Sequence, residues 1–215
     1  DEAVTHTGNV SLTASGDADY NDVATSLTVS IGDNDFGAND AVINEFLADK
    51  SGSDTGAFIE IYGSPSTDYS SLYILEIEGD HSSPTGNIDA VFQVGTTDAN
   101  GFWTITDADD SAADAENGTV TYLLVQGFTG SAGDDIDTND DGVIDNAHWS
   151  SIIDGVATQE GGSDIAYTAD PAVVELDSDF DGGSIQVGGA SRITDGVDND
   201  LPTDWVRNDY FGYGL

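Results

Sequence analysis

The stretch Gly56-Ala57-Phe58-Ile59-Glu60-Ile61-Tyr62 has an apolar residue at every second position. Successive side chains of a β-strand point to opposite faces, so this stretch predicts a strand with one continuous apolar face. The same period of two recurs along the chain, whereas the longer period of helices is scarce. The predicted strands are 9–14, 24–31, 41–47, 57–62, 71–78, 88–94, 101–106, 119–126, 164–168, 172–176 and 184–187.

Turn-forming residues separate these segments. The chain has 26 glycines, and the stretches that hold them are rich in Asp, Asn and Ser, which favour turns and loops. Many short strands joined by turns predict an all-β sandwich. One short helical turn is predicted near residues 147–153, with Asp145 and Asn146 as candidate N-caps.

Acidic residues outnumber basic ones 42 to 3, for a formal net charge of -39 over 215 residues. The chain supplies almost no internal ion-pair partners, so we expect divalent cations to bring the counter-charge. Carboxylate oxygens suit calcium or magnesium, and we predict calcium in an extracellular protein. The charge argues against nucleic acid and against anionic membranes, because both attract Lys and Arg. Arg192 and Arg207 are each predicted to clamp buried carboxylates.

Sulfur-containing residues are absent from the sequence, which has neither Cys nor Met. Disulfides and thiolate metal sites are therefore excluded. This composition favours a secreted bacterial protein that is stabilised by metal. No apolar run approaches the length of a membrane span.

The acidic stretch 33–40 is predicted to separate two modules: a hairpin segment over 1–36, a linker over 37–40 and a sandwich over 41–215. The first segment contains Val10-Ser11-Leu12-Thr13-Ala14 and then Ser26-Leu27-Thr28-Val29-Ser30-Ile31-Gly32-Asp33-Asn34-Asp35. It resembles the closing hairpin of a Calx-beta or related cadherin-like repeat. A whole module of that kind needs roughly 100 residues, so the segment cannot close its own core.

After the linker, Val42-Ile43-Asn44-Glu45-Phe46-Leu47-Ala48-Asp49 and Gly56-Ala57-Phe58-Ile59-Glu60-Ile61-Tyr62 form a second recognisable pair. They resemble the two opening strands of the lamin-tail domain, although Gly63 stands where that family usually has Asn. The resemblance covers about residues 41–215. It implies an immunoglobulin-like β-sandwich, here with long Asp- and Gly-rich loops and an extra N-terminal hairpin.

Two later segments carry the same resemblance, namely Leu123-Leu124-Val125-Gln126-Gly127-Phe128-Thr129-Gly130 and Asp204-Trp205-Val206-Arg207-Asn208. They look like the versions of the domain found in large secreted bacterial proteins. Such domains usually accompany nucleases, phosphatases or adhesive repeats. The resemblance therefore implies a binding or structural role rather than catalysis.

The strongest local motif is a D-x-D-x-D-G-type loop. Asp137, Asn139 and Asp141 occupy its first, third and fifth positions, and Gly142 provides the sharp turn. Val143 would offer its carbonyl and Ile144 would be buried. His148 replaces the bidentate Glu of an EF-hand, so the loop is closer to those of dockerins and thrombospondin type 3 repeats. The predicted calcium ligands are Asp135, Asp137, Asn139, Asp141, Val143 and Asp145; the alternative is a solvated acidic loop.

A second match to the motif comprises Asp177, Asp179 and Asp181, which would form either a metal site or an Asp-rich hairpin turn. Three weaker acidic clusters are more typical of solvated surface, although the linker acids would also suit an interdomain calcium. These clusters are Asp195, Asp198, Asn199 and Asp200; Asp107, Asp109, Asp110 and Asp114; and the linker acids Asp33, Asp35 and Asp40.

Catalytic patterns are missing from the sequence. Glu45 and Glu60 lie on adjacent predicted strands, where a structural pair bonded to local backbone or to Arg is a simpler interpretation than a glycosidase pair. The three histidines are dispersed, and no nucleophile-elbow, P-loop or dinucleotide motif occurs. We therefore predict no enzyme and no catalytic residues.

Two classes of function remain. The first is a non-catalytic, calcium-stabilised extracellular structural, adhesion or accessory module of a secreted bacterial protein, including an accessory domain of a nuclease or phosphatase. The second is a self-assembling filament or matrix subunit, in which residues 1–35 add strands to another copy.

Overall fold

The computed structural model describes residues 6–13, 24–31, 40–48, 56–81, 83–109, 118–180 and 186–208. For 6–13 and 24–31 it describes the strands but not the environment of their side chains. Backbone contacts divide the chain into two units, Asp1–Gly37 and Ala38–Leu215. The division falls inside the acidic stretch 33–40.

The N-terminal unit contains an antiparallel pair, β1 (His6–Thr13) and β2 (Ala24–Ile31). The register runs from His6 opposite Ile31 to Thr13 opposite Ala24. The two strands form a sheet of their own. Strand addition to another copy through this hairpin stays a prediction.

Over its described residues the second unit is all-β, with ten strands in two five-stranded sheets. The strands are β3 (Val42–Leu47), β4 (Phe58–Tyr62), β5 (Leu72–Glu78), β6 (Ile88–Gln93), β7 (Phe102–Thr106), β8 (Val120–Gln126), β9 (Ser151–Gln159), β10 (Val173–Asp177), β11 (Gly189–Arg192) and β12 (Trp205–Arg207). The first sheet has the order β10-β9-β8-β5-β6, and the second sheet has the order β12-β11-β3-β4-β7. Pairing is antiparallel except between β9 and β10.

Apolar residues from both sheets form the main core, as in a β-sandwich. Phe46 of the second sheet lies 5.2 Å, between ring centroids, from Tyr122 of the first, and 6.2 Å from Trp205 of its own sheet. The period of two seen in β4 places Ile59 and Ile61 in this core. The prediction of an all-β sandwich is therefore confirmed.

The first sheet is covered on both faces. Leu75 and Leu123 belong to a second cluster on its outer face, together with Tyr167 and with Ile136 of the acidic loop, by which we mean residues 135–146. This explains why β5 and β8 are almost continuously buried rather than alternating, since strands with two covered faces need apolar residues on both. The acidic loop thus contributes apolar side chains to the fold.

Several local predictions were wrong. Residues 147–153 do not form a helical turn, because Ser151 begins β9, which pairs with β8 and β10. Residues 164–168 form no strand; their hydrogen bonds go to turns and side chains, as from the Ile165 amide to the Gly79 carbonyl and from the Tyr167 amide to the Thr121 hydroxyl. Residues 186 and 187 form no strand either, while 184 and 185 lie outside the described residues.

Candidate metal centre

Three carboxylates converge at one end of the first sheet. They belong to Asp80, which follows β5, and to Glu160 and Asp164, which follow β9. Each contributes one oxygen, and the three oxygens lie within 4.8 Å of one another. We call these three residues the acid triad. Among the parts of the chain that the structure describes, this is the one group of three or more potential His, Cys, Asp or Glu ligands at that spacing.

The backbone fixes Asp80 in the triad. The Gly79 amide donates to the Thr119 carbonyl at 2.9 Å, and the Gly79 carbonyl accepts from Ile165 at 2.8 Å. A Cβ at Gly79 would lie 2.5 Å from both the Thr119 and the Ile165 carbonyl oxygens, so the close approach requires glycine. The Asp80 carboxylate accepts the Thr119 amide at 2.9 Å. These contacts fasten the end of β5 to the start of β8 and to the segment after β9.

The other two acids are tied to the same place. The His81 amide donates to the Asp164 carboxylate at 3.0 Å. The Glu160 amide donates to the Thr119 hydroxyl at 3.0 Å, and that hydroxyl lies 3.4 Å from the other Asp164 oxygen. Backbone amides therefore hold the carboxylates of Asp80 and Asp164 in place, whereas the exposed Glu160 is held through its own backbone amide.

Like charges crowd the acid triad. Burial raises the pKa of Glu160, and the charges of Asp80 and Asp164 raise it further. Directly behind the triad, the buried Glu78 accepts the Asp80 amide at 2.6 Å, and burial also raises the pKa of Glu78. Arg192 does not supply the counter-charge for these acids, because its ion pairs are with Asp154 and Asp198. A bound cation would relieve the repulsion among these carboxylates, which adds to the effect of burial on both pKa values.

The predicted calcium loop is organised around Asp137. Its carboxylate is fully buried and accepts the Asp141 amide at 3.2 Å, the Gly142 amide at 2.8 Å and the Tyr167 hydroxyl at 3.1 Å. Gly142 has a φ of +82°, the left-handed conformation expected of the sharp turn. Ile144 packs against the cluster on the outer face of the first sheet.

The other predicted ligands of the loop form hydrogen bonds within the loop. Asp135 accepts the Asp137 amide at 3.0 Å, and Asp145 accepts the Thr138 hydroxyl at 2.8 Å. Asp141 accepts the Asn139 side-chain amide at 3.1 Å and the Val143 backbone amide at 3.0 Å. The loop carboxylates do not form a group like the triad among the described residues. Calcium at this loop stays a prediction.

The second D-x-D-x-D-G match is a turn where it is described. Asp177 ends β10, and its carboxylate accepts the Asp179 amide at 2.9 Å. Asp181 lies outside the described residues, as do Asp33, Asp35, Asp110 and Asp114, whereas Asp40 is exposed. The contacts of Asp177 are those of an Asx turn.

Glu45 and Glu60 lie opposite each other in the β3–β4 register. Their described partners are polar side chains rather than the backbone or Arg: Asn208 donates to Glu45 at 2.7 Å, Asn44 donates to Glu60 at 3.0 Å, and the Thr104 hydroxyl donates to Glu60 at 3.4 Å. Burial raises the pKa of Glu60, and the charge of Glu45 adds to the rise. The amides thus hold two like charges that would otherwise repel across the strands.

Sequence reasoning missed the acid triad because two of its members are far from the third along the chain. Asp80 and Glu160 stand in no repeat or motif, and Glu160-Gly161-Gly162-Ser163-Asp164 has the composition of an ordinary turn. The pairing of β8 with both β5 and β9 brings these ends together. The available signal was the strand order, which a single sequence does not fix.

A scan against protein-family models finds no match to this chain, and searches of curated proteins and of solved structures find no significant match either. The lamin-tail and Calx-beta resemblances therefore stay predictions. Within the described ranges, no helix is long and apolar enough to cross a membrane.

Proposed function

We propose that the protein is a non-catalytic, calcium-stabilised extracellular structural or accessory module, with an immunoglobulin-like sandwich of the lamin-tail type. The observation that carries the proposal is the convergence of Asp80, Glu160 and Asp164 within 4.8 Å in a chain with a net charge of -39. Three like charges at that spacing repel strongly unless a cation lies among them. The predicted loop around Asp137 is the second candidate site.

Calcium suits the acid triad better than other common ions. The acid triad offers only oxygen ligands, whereas most transition metals prefer sites with nitrogen or sulfur. Calcium takes about six to eight oxygen ligands and tolerates irregular geometry, so waters and carbonyls can complete the shell, while magnesium demands a near-ideal octahedron. Calcium sites of extracellular modules have dissociation constants of about 0.1 to 1 mM.

The position of the acid triad favours a structural role. Its members follow the ends of β5 and β9, and Thr119, directly before β8, contacts all three residues through its amide or hydroxyl. A cation there would hold three segments of the first sheet together. The assignment as non-catalytic rests on the sequence, which has no nucleophile-elbow, P-loop or dinucleotide motif and whose three histidines are dispersed.

Calcium titration tests the proposal. Isothermal calorimetry of the wild-type protein should show a site with a dissociation constant of about 1 mM or tighter. Glu160→Gln should weaken that site at least about tenfold, since one of three charged ligands is lost. Glu175→Gln removes the same charge from an exposed position on β10 and should leave the site unchanged.

Two outcomes would contradict this assignment. One is calcium binding that Glu160→Gln and Glu175→Gln weaken equally, which would show diffuse attraction to an acidic surface. The other is the absence of any saturable heat of binding up to about 10 mM calcium, a concentration well above the range of extracellular sites.

A further inference from the structure

Exposed apolar side chains are concentrated in one loop. Among the described residues, four large hydrophobic side chains are exposed, and three of them, Ile193 at 57%, Val197 at 40% and Leu201 at 51%, lie within nine residues. The fourth, Val143 at 57%, lies in the acidic loop. Single exposed apolar residues are ordinary, but a local concentration of them marks an interaction surface. We call residues 193–201 the apolar loop.

Polar anchors hold the apolar loop in place. Arg192 donates to the Val197 carbonyl at 3.0 Å and to the Asp198 carboxylate at 2.9 Å. The Gly196 amide donates to the buried Asn44 side chain at 2.9 Å. A loop fixed in this way loses little conformational entropy when a partner binds.

The C-terminal end of the loop has its own anchor. The Asp204 carboxylate accepts both the backbone amide of Asn199, at 2.7 Å, and its side-chain amide, at 2.9 Å. It also accepts the Leu201 amide at 3.4 Å. The exposed Leu201 side chain is therefore carried by a backbone that is bonded on both sides of it.

A small apolar pocket follows the loop directly. Its volume is about 180 Å³, and Phe180, Pro202, Thr203 and Trp205 line it. Pockets for cofactors and drug-sized ligands measure roughly 300 to 1,000 Å³. This pocket therefore suits a single side chain rather than a small-molecule cofactor.

The charged side chains on the loop itself are all acidic, and the nearby guanidiniums are those of Arg192 and of Arg207, which lies 5.9 Å from the centre of the Phe180 ring. Asp195 and Asp200 are exposed on the loop, whereas Asp198 is paired with Arg192. Burial raises the pKa of Asp200, and the neighbouring charge of Asp198 adds to the rise. A partner with positive charges beside its apolar contact would relieve this repulsion.

We propose that the apolar loop and the adjacent pocket dock a segment of another protein in which an apolar side chain is flanked by Lys or Arg. A second copy of this chain is disfavoured, because the chain has only three basic residues and Arg192 is already paired. The proposal adds an interaction surface that does not depend on calcium at the acid triad.

A pair of labelled peptides provides the test: one has a central leucine flanked by two lysines on each side, and the other has serine in place of that leucine. In fluorescence anisotropy at about 150 mM salt, where surface charge is screened beyond about 8 Å, the leucine peptide should bind the wild-type protein roughly tenfold more tightly. Leu201→Asp should abolish this preference even though it adds a negative charge. Ala99→Asp, which adds the same charge at an exposed turn next to Asp98, is the matched control and should retain it.

The same measurements can overturn the proposal. Equal binding of the two peptides to the wild-type protein would show charge attraction alone. A leucine preference that survives Leu201→Asp would place the contact elsewhere. Sedimentation velocity adds a third outcome, because a wild-type dimer that Leu201→Asp dissociates would show that the surface joins two copies. Circular dichroism of each variant should match the wild type, since both substituted side chains are exposed.

Discussion

Arg192→Met should destabilise the folded protein by about 3 to 5 kcal/mol, because it removes one partner of a buried ion pair. Arg192 is 4% exposed, and one guanidinium nitrogen lies 3.0 Å from both oxygens of the fully buried Asp154. Its Nε donates to the Ile43 carbonyl at 2.8 Å, and the guanidinium carbon lies 4.5 Å from the centre of the Trp205 ring. Methionine would replace the volume but not the charge.

The loss of stability in Arg192→Met follows from the buried carboxylate of Asp154, which stays without its partner. Asp154 accepts the Ile43 amide at 2.7 Å in a site without water access, so its charge would be left without a counter-ion. Burial raises the pKa of Asp154 above its usual value, and Arg192 is the main group that opposes this rise. Without Arg192 the carboxyl would bind a proton at neutral pH, which limits the damage but does not restore the lost hydrogen bonds.

Urea unfolding followed by tryptophan fluorescence measures this effect, since Trp103, Trp149 and Trp205 all lie in the second unit. Arg207→Met is the matched control. Arg207 is half-buried, donates to the carbonyls of Gln186 and Ser178 and lies over the Phe180 ring, so its loss should cost less, about 1.5 to 3 kcal/mol. The double variant Arg192→Met with Asp154→Leu should recover much of the stability, because neither buried charge remains. A loss below about 1 kcal/mol for Arg192→Met would contradict this interpretation of the pair.

Calcium should raise the melting temperature of the wild-type protein by roughly 5 to 10 °C. At a concentration one hundred times the dissociation constant, a ligand that binds only the folded state stabilises it by about 2.7 kcal/mol. For a protein of this size, 1 kcal/mol corresponds to about 2 to 4 °C. Glu160→Gln should lose most of the gain, whereas Glu175→Gln should keep it. Sodium chloride at equal ionic strength measures screening alone, and an equal rise with that salt would contradict specific binding.

The calcium effect should also depend on pH. The folded-state pKa of Glu160 and that of Glu78 are raised, so without calcium these groups contribute stability at low pH that is lost as the pH rises through their folded-state pKa values. Calcium requires ionised carboxylates and therefore stabilises most at higher pH. The difference in melting temperature between calcium and EDTA should shrink when the pH falls from about 7.5 to about 5. A difference that grows in acid would contradict binding by carboxylates.

The sequence predicted the strands in which apolar residues alternate with polar ones, because this alternation shows which face is buried. Ile59 and Ile61 alternate with polar neighbours because one face of β4 meets the core. The strand β9 was missed because it lies between two neighbours and is defined by them: its segment Asp154-Gly155-Val156-Ala157 carries a buried acid and a glycine, which look like a turn. The buried acid is explained by its pairing with Arg192 and by the Ile43 amide that it accepts; the sequence predicted that Arg192 pairs with a buried carboxylate but not which one.

The candidate site was predictable in kind but not in place. The excess of acids indicates cation binding but not where in the chain it occurs. The local motif predicts a site at the loop around Asp137, whose carboxylate is instead bonded to amides of the loop and to Tyr167. The acid triad depends on the pairing of β5, β8 and β9, which joins residues about eighty positions apart. Such long-range pairing is set by the whole sheet rather than by any one segment.

The most direct measurement of the central proposal is an anomalous difference map from a crystal of the protein grown with calcium. Bound calcium at the acid triad predicts a peak about 2.3 to 2.6 Å from one oxygen each of Asp80, Glu160 and Asp164, and the peak should vanish in Glu160→Gln. A map that shows fully occupied calcium at other positions and no peak among these three carboxylates would contradict the proposed site.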